Sequence, residues 1–191
     1  MTATTLRMLS ARLLLILGLA FGLGACAGDR LHSVRVSVPQ QRMAVYRQGV
    51  EIARYRVSTS KYGLGSEPGS YRTPLGKLEI AEKIGGGAPA GMRFKNRRST
   101  GEIVPVNAPG RDPIVTRILW LKGLESRNAN TYDRLIYIHG TPEERNLGTP
   151  VSYGCIRMAS RDIIRLYKTV GEGTRVTVSE QDLPAPAEPP K

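Results

Sequence analysis

Short segments in which apolar and polar residues alternate dominate this chain of 191 residues. Segment 34–38 carries valine at every second position, which predicts a strand with one buried face. Residues 43–46 and 52–57 predict two further strands, and Gln48-Gly49 between them has the composition of a hairpin turn. The beginning of the chain therefore predicts β-structure.

The later part of the chain continues this preference for strands and adds one helix. Segment 113–122 reads as a strand that is apolar on both faces, and its Trp120 is more typical of a core residue than of a cofactor contact. Segments 135–138 and 174–178 predict two shorter strands. Between them, apolar residues at helical spacing predict a helix that Ser160 can cap and Gly171 can end. We expect a mainly β, sandwich-like domain with one clear helix.

Three segments lack this patterning. Residues 58–76 are rich in Gly, Ser and Pro but lack the spacing of a phosphate-binding loop. Residues 85–112 contain few apolar runs, and we predict either a lid over a groove or a solvated insertion. Residues 181–191 are rich in proline and short of core residues, which predicts a disordered tail.

The chain is basic, with a formal net charge of +12 at pH 7, which suits an acidic partner. Its basic residues are scattered, and it contains no helix-turn-helix, zinc-finger or RNA-binding signature, so nucleic acid is not the expected partner. The two histidines and two cysteines are too far apart in the sequence to form a recognisable zinc site. We expect no metal and no cofactor, and an acidic partner such as a wall polymer or anionic lipid.

The first 25 residues predict an export signal. Two arginines precede an apolar stretch at 13–23, which is too short to span a bilayer comfortably. Residues 23–26 (Leu-Gly-Ala-Cys) then resemble the bacterial lipobox, in which cleavage exposes the cysteine, here Cys26, for lipidation. An ordinary signal peptide cut nearby, or a retained anchor, is the alternative.

We therefore predict an exported, periplasmic protein that is anchored to a membrane through Cys26. Ala27 after the cysteine resembles the pattern that permits transfer to an outer membrane rather than an inner one. Residues 26–32 would form a spacer and residues 33–180 the domain, followed by the tail.

Candidate chemistry lies between residues 134 and 158, where His139 ends a predicted strand and Cys155 stands at a glycine turn before the helix. A thiol has an ordinary pKa of about 8.5, so it needs a base such as an imidazole to act as a nucleophile near neutral pH. A lone buried cysteine is otherwise a small apolar residue, and a lone histidine is usually structural. The pair alone leaves both interpretations open.

This run resembles the signature of the L,D-transpeptidase family (YkuD-type catalytic domain), which is His-Gly-Thr, a loop, then Ser/Thr-His-Gly-Cys, an apolar residue and Arg or Asn. The two parts stand here as His139-Gly140-Thr141 and Ser152-Tyr153-Gly154-Cys155-Ile156-Arg157. Tyr153 is a departure, because most members carry a second histidine at that place. The resemblance covers about residues 34–178 and implies the L,D-transpeptidase fold.

The resemblance also implies roles for these residues. Cys155 would be the nucleophile and His139 its general base, oriented by a backbone carbonyl because no Asp or Asn partner is evident. Oxyanion or substrate contacts would come from a set around the thiol: Gly140, Ser152, Tyr153, Gly154 and Arg157. Arg157 would bind a substrate carboxylate or form a structural ion pair, and Ser152 would position the substrate loop or only fix the turn.

The implied activity is acyl transfer on peptidoglycan stem peptides. The enzyme would cleave the bond between a diamino acid and D-Ala in a tetrapeptide stem and pass the acyl group to an amine. That amine would belong to another stem, giving a 3–3 cross-link, or to an anchored protein, whereas water as acceptor would make the enzyme a carboxypeptidase. A catalytically silent, wall-binding lipoprotein is the alternative of another class. The oligomeric state is open.

Overall fold

The computed structural model describes residues 28–110 and 112–185. The predicted export signal, Cys26, Ala27 and residues 186–191 lie outside the described residues, and the predictions made for them stay predictions. Within the described ranges, no helix has the length and apolar character needed to cross a bilayer.

Across these residues the chain forms ten strands and one α-helix, so the predicted mainly β fold with one helix after the cysteine is confirmed. Two short 3-10 helices, Ser126–Thr131 and Glu144–Asn146, lie in connections. In chain order the main elements are β1 (His32–Ser37), β2 (Arg42–Arg47), β3 (Val50–Arg56), β4 (Gly76–Ile84), β5 (Met92–Lys95), β6 (Arg98–Ile103), β7 (Ile114–Gly123), β8 (Tyr137–Gly140), β9 (Ile156–Met158), α1 (Ser160–Thr169) and β10 (Arg175–Ser179).

The strands form one mixed sheet in the order β3-β2-β1-β10-β4-β7-β5-β6, while β8 pairs with β7 and β9 pairs with β8. Two of the pairs, β1–β10 and β8–β9, are parallel, and the others are antiparallel. Strand β7 pairs with β4, β5 and β8 and therefore connects the long path of the sheet to the β8–β9 pair.

The core follows from the alternation seen in the sequence. One buried cluster, which includes Val34, Leu119 and Ile163, is formed by the apolar face of α1 and by side chains from β1, β2, β4, β7, β8, β9 and β10. The opposite face of β7 contributes to a second cluster with Ile118 and Trp120. Both faces of β7 are therefore buried, as its doubly apolar pattern predicts.

The segment 85–112 is not simply a loop, because it contains the β5–β6 hairpin. Only Phe94 of β5 is buried, and every residue of β6 is exposed. A hairpin that packs through so few side chains leaves little periodicity in the sequence, so the loop prediction was wrong for these two strands.

The predicted disorder is also wrong for the beginning of the tail. Leu183 is 7% exposed and packs with Ala44 and Tyr46. Its backbone N–H donates to Gln40 Oε1 at 3.1 Å, and Pro184 O accepts from Arg54 at 2.6 Å. One apolar side chain and two hydrogen bonds thus hold residues that composition alone assigns to a disordered tail.

Ser160 does not cap the helix, since it is the first helical residue and Ala159 precedes it as N-cap. The Ser160 N–H instead donates to Glu144 Oε1 at 2.8 Å. A carboxylate from the second 3-10 helix therefore accepts one of the backbone N–H groups that have no partner within α1. The Ser160 hydroxyl lies 2.7 Å from Thr116 Oγ1.

Candidate active site

Strands β8 and β9 bring the histidine and the cysteine together. His139 lies in β8 and Cys155 directly precedes β9, and the parallel register pairs His139 with Arg157. Extending this register by two residues places Cys155 level with Tyr137. Because alternate residues of a strand share a face, the side chains of these four residues lie on one face of the pair, and those of Ile138 and Ile156 lie on the other. The thiol and the imidazole therefore stand diagonally across one ladder.

His139 is 4% exposed, and a backbone carbonyl holds its ring. Its Nδ1 lies 2.9 Å from Gly140 O, a carbonyl that can only accept, so Nδ1 carries the proton and Nε2 presents a lone pair. Burial lowers the pKa of His139 to about 4, with the nearby charge of Arg157 adding to the effect. The imidazole is therefore a neutral base near pH 7.

Cys155 is half-buried, and its Sγ lies 3.5 Å from Leu135 O. Burial raises the pKa of the thiol to about 11, although the positive charges of Arg157 and Arg134 oppose the shift. Since the pKa of His139 is shifted down and that of Cys155 up, the resting site holds a thiol and a neutral imidazole rather than an ion pair.

The turn before Cys155 is fixed by hydroxyl groups. The Ser152 hydroxyl donates to Cys155 O at 2.6 Å and accepts from the Gly154 N–H at 3.2 Å. The Thr73 hydroxyl donates to Gly154 O at 3.0 Å. Ser152 thus fixes the turn, and its hydrogen bond with Gly154 occupies one of the N–H groups that the sequence suggests as oxyanion donors.

Two glycines of the motif are needed for space or conformation. Gly154 has a φ of +116°, in the region that favours glycine, and a Cβ there would lie 3.1 Å from Ile136 Cδ1. At Gly140 a Cβ would lie 2.6 Å from Val115 O, which would separate β8 from β7. Gly140 therefore permits the close strand contact and supplies the carbonyl that orients His139.

Arg157 is a buried ion-pair residue in this structure. Its Nε lies 2.7 Å from Asp112 Oδ2, and its Nη1 lies 3.5 Å from Glu143 Oε2. The Asp112 contact is electrostatic rather than a directed hydrogen bond, and this carboxyl also accepts from the Thr141 hydroxyl. Of the two interpretations left open by the sequence, these contacts favour the structural ion pair over a group free to bind a substrate carboxylate.

Tyr153, at the place of the family's second histidine, has a side chain that is 53% exposed. Its Oη lies 3.2 Å from Lys61 Nζ. Both residues line a cleft of about 610 Å³ together with Arg157, Asp112 and Glu143. The motif thus forms part of the wall of a surface cleft with charged groups of both signs.

Sequence reasoning missed three residues that support the site. Thr73 contacts Gly154, and Asp112 pairs with Arg157. The Arg134 guanidinium binds the carbonyls of Gly65 and Arg72, at 3.2 and 2.8 Å, beside the cysteine turn. No local pattern in the sequence marks Asp112 or Arg134 as part of a site.

Comparison with known proteins agrees with this geometry. The family model of the YkuD L,D-transpeptidase catalytic domain matches residues 32–178. YqjB of Bacillus subtilis (strain 168), which carries an L,D-transpeptidase name, is 40% identical over 52 residues, covering 27% of this chain and 30% of YqjB. YcfS of Escherichia coli (strain K12), also named for that activity, is 24% identical over 157 residues, covering 81% of this chain and 46% of YcfS.

Solved structures show the same fold. L,D-transpeptidase 3 from Mycobacterium tuberculosis, in complex with a faropenem-derived adduct, superposes with a TM-score of 0.50 at 21% identity, over 78% of this chain and 60% of that one. The matched part of this chain spans less than half the length of either YqjB or YcfS.

Proposed function

This chain belongs to the family of L,D-transpeptidases with the YkuD-type catalytic domain, and from this we propose that it is a cysteine acyltransferase acting on peptidoglycan. The family acts on peptidoglycan stem peptides. The observation that carries the proposal is the placement of His139 and Cys155 on one face of the β8–β9 pair, with His139 Nε2 free to accept a proton.

In the proposed reaction, Cys155 Sγ attacks the carbonyl carbon between the diamino acid and D-Ala of a tetrapeptide stem. His139 Nε2 takes the thiol proton as the S–C bond forms. When the tetrahedral intermediate collapses, the C–N bond breaks and D-Ala leaves with that proton. The product is a thioester on Cys155 and an unprotonated His139.

An acceptor amine then attacks the thioester while His139 removes its proton, and the thiol reforms as His139 returns that proton to sulfur. An amine from a second stem would give a 3–3 cross-link, and an amine of a protein would anchor it to the wall. Water in the same step would release a tripeptide, which is carboxypeptidase activity.

We assign oxyanion stabilisation to backbone N–H groups of the turn, because the developing negative charge needs fixed donors in a site shielded from water. The Gly154 N–H already donates to Ser152 Oγ. The proposal therefore relies on the N–H groups of Tyr153 and Cys155, and it gives Ser152 and Thr73 the task of holding them in place.

The test is mass spectrometry of muropeptides after incubation of the purified full-length chain, in detergent, with defined disaccharide-tetrapeptides. Dimers that lack one D-Ala, absent with Cys155→Ala, would support transpeptidation. Tripeptide alone would make the protein a carboxypeptidase. Unchanged tetrapeptide would favour the wall-binding lipoprotein instead, and Tyr153→His would then be the variant to examine for restored activity.

A second readout does not depend on the acceptor. Because the mycobacterial structure holds a faropenem-derived adduct, we propose that faropenem acylates Cys155 in this chain. Intact-protein mass spectrometry would detect one added adduct on the wild type and none on Cys155→Ala. Absence of the adduct on both would count against a reactive thiol.

The cellular site belongs to the same proposal. Peptidoglycan lies outside the cytoplasmic membrane, and the basic, apolar start of the chain suits export. We propose that Cys26 is lipidated and that the domain works in the periplasm, anchored to the outer membrane rather than the inner. Incorporation of labelled palmitate into the wild type, but not into Cys26→Ser, would test the anchor.

A further inference from the structure

Three exposed tyrosines gather beside the catalytic motif: Tyr62, Tyr71 and Tyr153, called here the tyrosine cluster. Their side chains are 46%, 58% and 53% exposed. Ring centroids are 5.9 Å apart for Tyr62–Tyr71, 5.6 Å for Tyr62–Tyr153 and 5.9 Å for Tyr71–Tyr153. Exposed aromatic surface of this kind commonly marks a binding site.

Hydrogen bonds join the loops that carry the tyrosine cluster. The Ser60 hydroxyl donates to Tyr71 O at 2.5 Å and accepts from the Tyr62 N–H at 3.0 Å. The Lys61 N–H donates to Ser152 O at 3.1 Å, which ties the same loop to the motif. Tyr71 has a φ of +56°, an uncommon conformation for a side chain of this size, and its carbonyl is held by Ser60. The three rings are therefore held in place before any ligand binds, which lowers the entropy cost of binding.

Lys61 adds a cation to this surface. Its Nζ lies 3.2 Å from Tyr153 Oη, 4.5 Å from the Tyr153 ring centroid and 5.2 Å from the Tyr62 centroid. No carboxylate of the described residues forms an ion pair with Lys61. The ammonium group is thus available to oxygen atoms of a ligand that rests on the rings.

The cluster joins two clefts. Lys61 and Tyr153 line the cleft that contains Arg157, whereas Tyr62 lines a neighbouring cleft of about 390 Å³ with Glu67 and Arg72. A ligand that extends from the motif across the surface would pass over the tyrosines. Such an extended path suits a polymer better than a single small molecule.

We propose that the tyrosine cluster is a sugar-binding subsite, which holds an amino-sugar ring of the glycan strand that carries the donor stem. The diamino acid and D-Ala at the reacting end of the stem have no large apolar group to cover aromatic rings. A pyranose has a flat face of C–H groups that packs on an aromatic face, and its edge carries hydroxyl and acetamido oxygens that the tyrosine hydroxyls and Lys61 can bind. The choice of sugar rests on the proposed peptidoglycan substrate.

Binding is tested without turnover by titrating the linear tetramer of β-1,4-linked N-acetylglucosamine into the full-length chain in detergent. Saturation-transfer NMR should detect contact with the sugar ring protons. The double variant Tyr62→Ala/Tyr71→Ala should weaken binding by at least about 5-fold, because each ring contributes its own packing. Tyr62→Phe/Tyr71→Phe keeps the rings and should retain most of the binding. Val50→Ala removes an exposed apolar group that lines a different cleft, and this variant should bind as the wild type does.

No contact between the tetramer and the wild type would overturn the proposal, as would equal binding by the double alanine variant. Binding to phosphatidylglycerol vesicles that is lost in the same variant, with no response to the sugar, would assign the cluster to a membrane surface instead. These outcomes stand whether or not the protein transfers acyl groups, so failure of the proposed activity and failure of the sugar subsite are separate results.

If the chain proves active, a second measurement links the cluster to the reaction. The ratio of kcat/KM for disaccharide-tetrapeptide to that for the free tetrapeptide should exceed about 10 in the wild type and fall towards 1 in Tyr62→Ala/Tyr71→Ala. A ratio that stays the same in this variant would contradict a role of the cluster in choosing the donor.

Discussion

The ion pair at Arg157 provides the sharpest test, because the sequence leaves two interpretations and the structure favours one. Arg157 is 7% exposed and its Nε lies 2.7 Å from Asp112 Oδ2. Arg157→Met keeps the length and apolar stem of the side chain but removes its charge. The carboxyl of Asp112, whose pKa burial already raises, then loses its closest cation. Breaking a buried pair in this way costs about 3–5 kcal/mol of unfolding free energy.

For a domain of this size, such a loss lowers the Tm by roughly 6–20 °C, measurable by differential scanning calorimetry. Asp112→Asn in the Arg157→Met background removes the unpaired carboxyl, so the double variant should be more stable than Arg157→Met alone. Arg161→Met is the matched control, since Arg161 is largely exposed and contacts its neighbour Asp162 at only 3.5 Å. It should change the unfolding free energy by less than about 0.5 kcal/mol.

The refuting result is equally specific. If Arg157→Met unfolds like the wild type while KM for the tetrapeptide stem rises several-fold, the guanidinium binds substrate and the ion pair is incidental. If Asp112→Asn fails to restore any stability to Arg157→Met, the two side chains are not coupled, and the reasoning from their distance is wrong.

Three further predictions follow from the site and its surroundings. The pKa of His139 is lowered to about 4 and that of Cys155 is raised to about 11. Because neither group titrates between roughly pH 5.5 and 8, kcat/KM should vary by less than about 2-fold over this range. An inflection near pH 6.5 in the rate profile would mean that the imidazole titrates normally. Gly154→Ala should lose most activity and about 1–2 kcal/mol in urea unfolding, since alanine is strained at a φ of +116°; wild-type activity would refute this. Burial raises the pKa of Asp29, but hydrogen bonds from the Gly171 N–H, the Thr174 hydroxyl and His32 together outweigh it and lower the pKa. Asp29→Ala should therefore cost about 2–3 kcal/mol at pH 7, and the difference from the wild type should shrink as pH falls below about 4, where the unfolded carboxyl protonates. A difference that stays constant down to pH 3 would rule out this carboxylate as its source.

Features that depend on local periodicity could be predicted from the sequence. The strand at 34–38, the doubly apolar β7 and the apolar face of α1 all bury the side chains that their spacing indicates. In the structure, the two parts of the motif lie on adjacent strands, since β8 carries His139 and β9 follows Cys155.

Features that depend on contacts between distant segments could not be predicted from the sequence. Asp112 is an ordinary acidic residue in a polar loop until folding places it on Arg157. Tyr62 and Tyr71 belong to no recognisable sequence motif. Their rings lie next to Tyr153 only because hydrogen bonds hold the loops together. Leu183 is one apolar residue among prolines, and it is buried because it packs against Ala44 and Tyr46 of β2. Each of these contacts depends on a residue far away in the chain, so a short stretch of sequence does not reveal it.

The raised pKa of the Cys155 thiol has a consequence for the oxidation of this side chain. The thiolate, and not the thiol, attacks peroxides and disulfides, so a sulfur that stays protonated is oxidised slowly. Cys155 is the free cysteine of the described residues, and no second cysteine there could resolve a sulfenic acid into a disulfide. The raised pKa thus protects the sulfur without any repair partner. In the proposed mechanism, His139 ionises the sulfur only when a substrate arrives, so delayed ionisation and slow oxidation have the same cause.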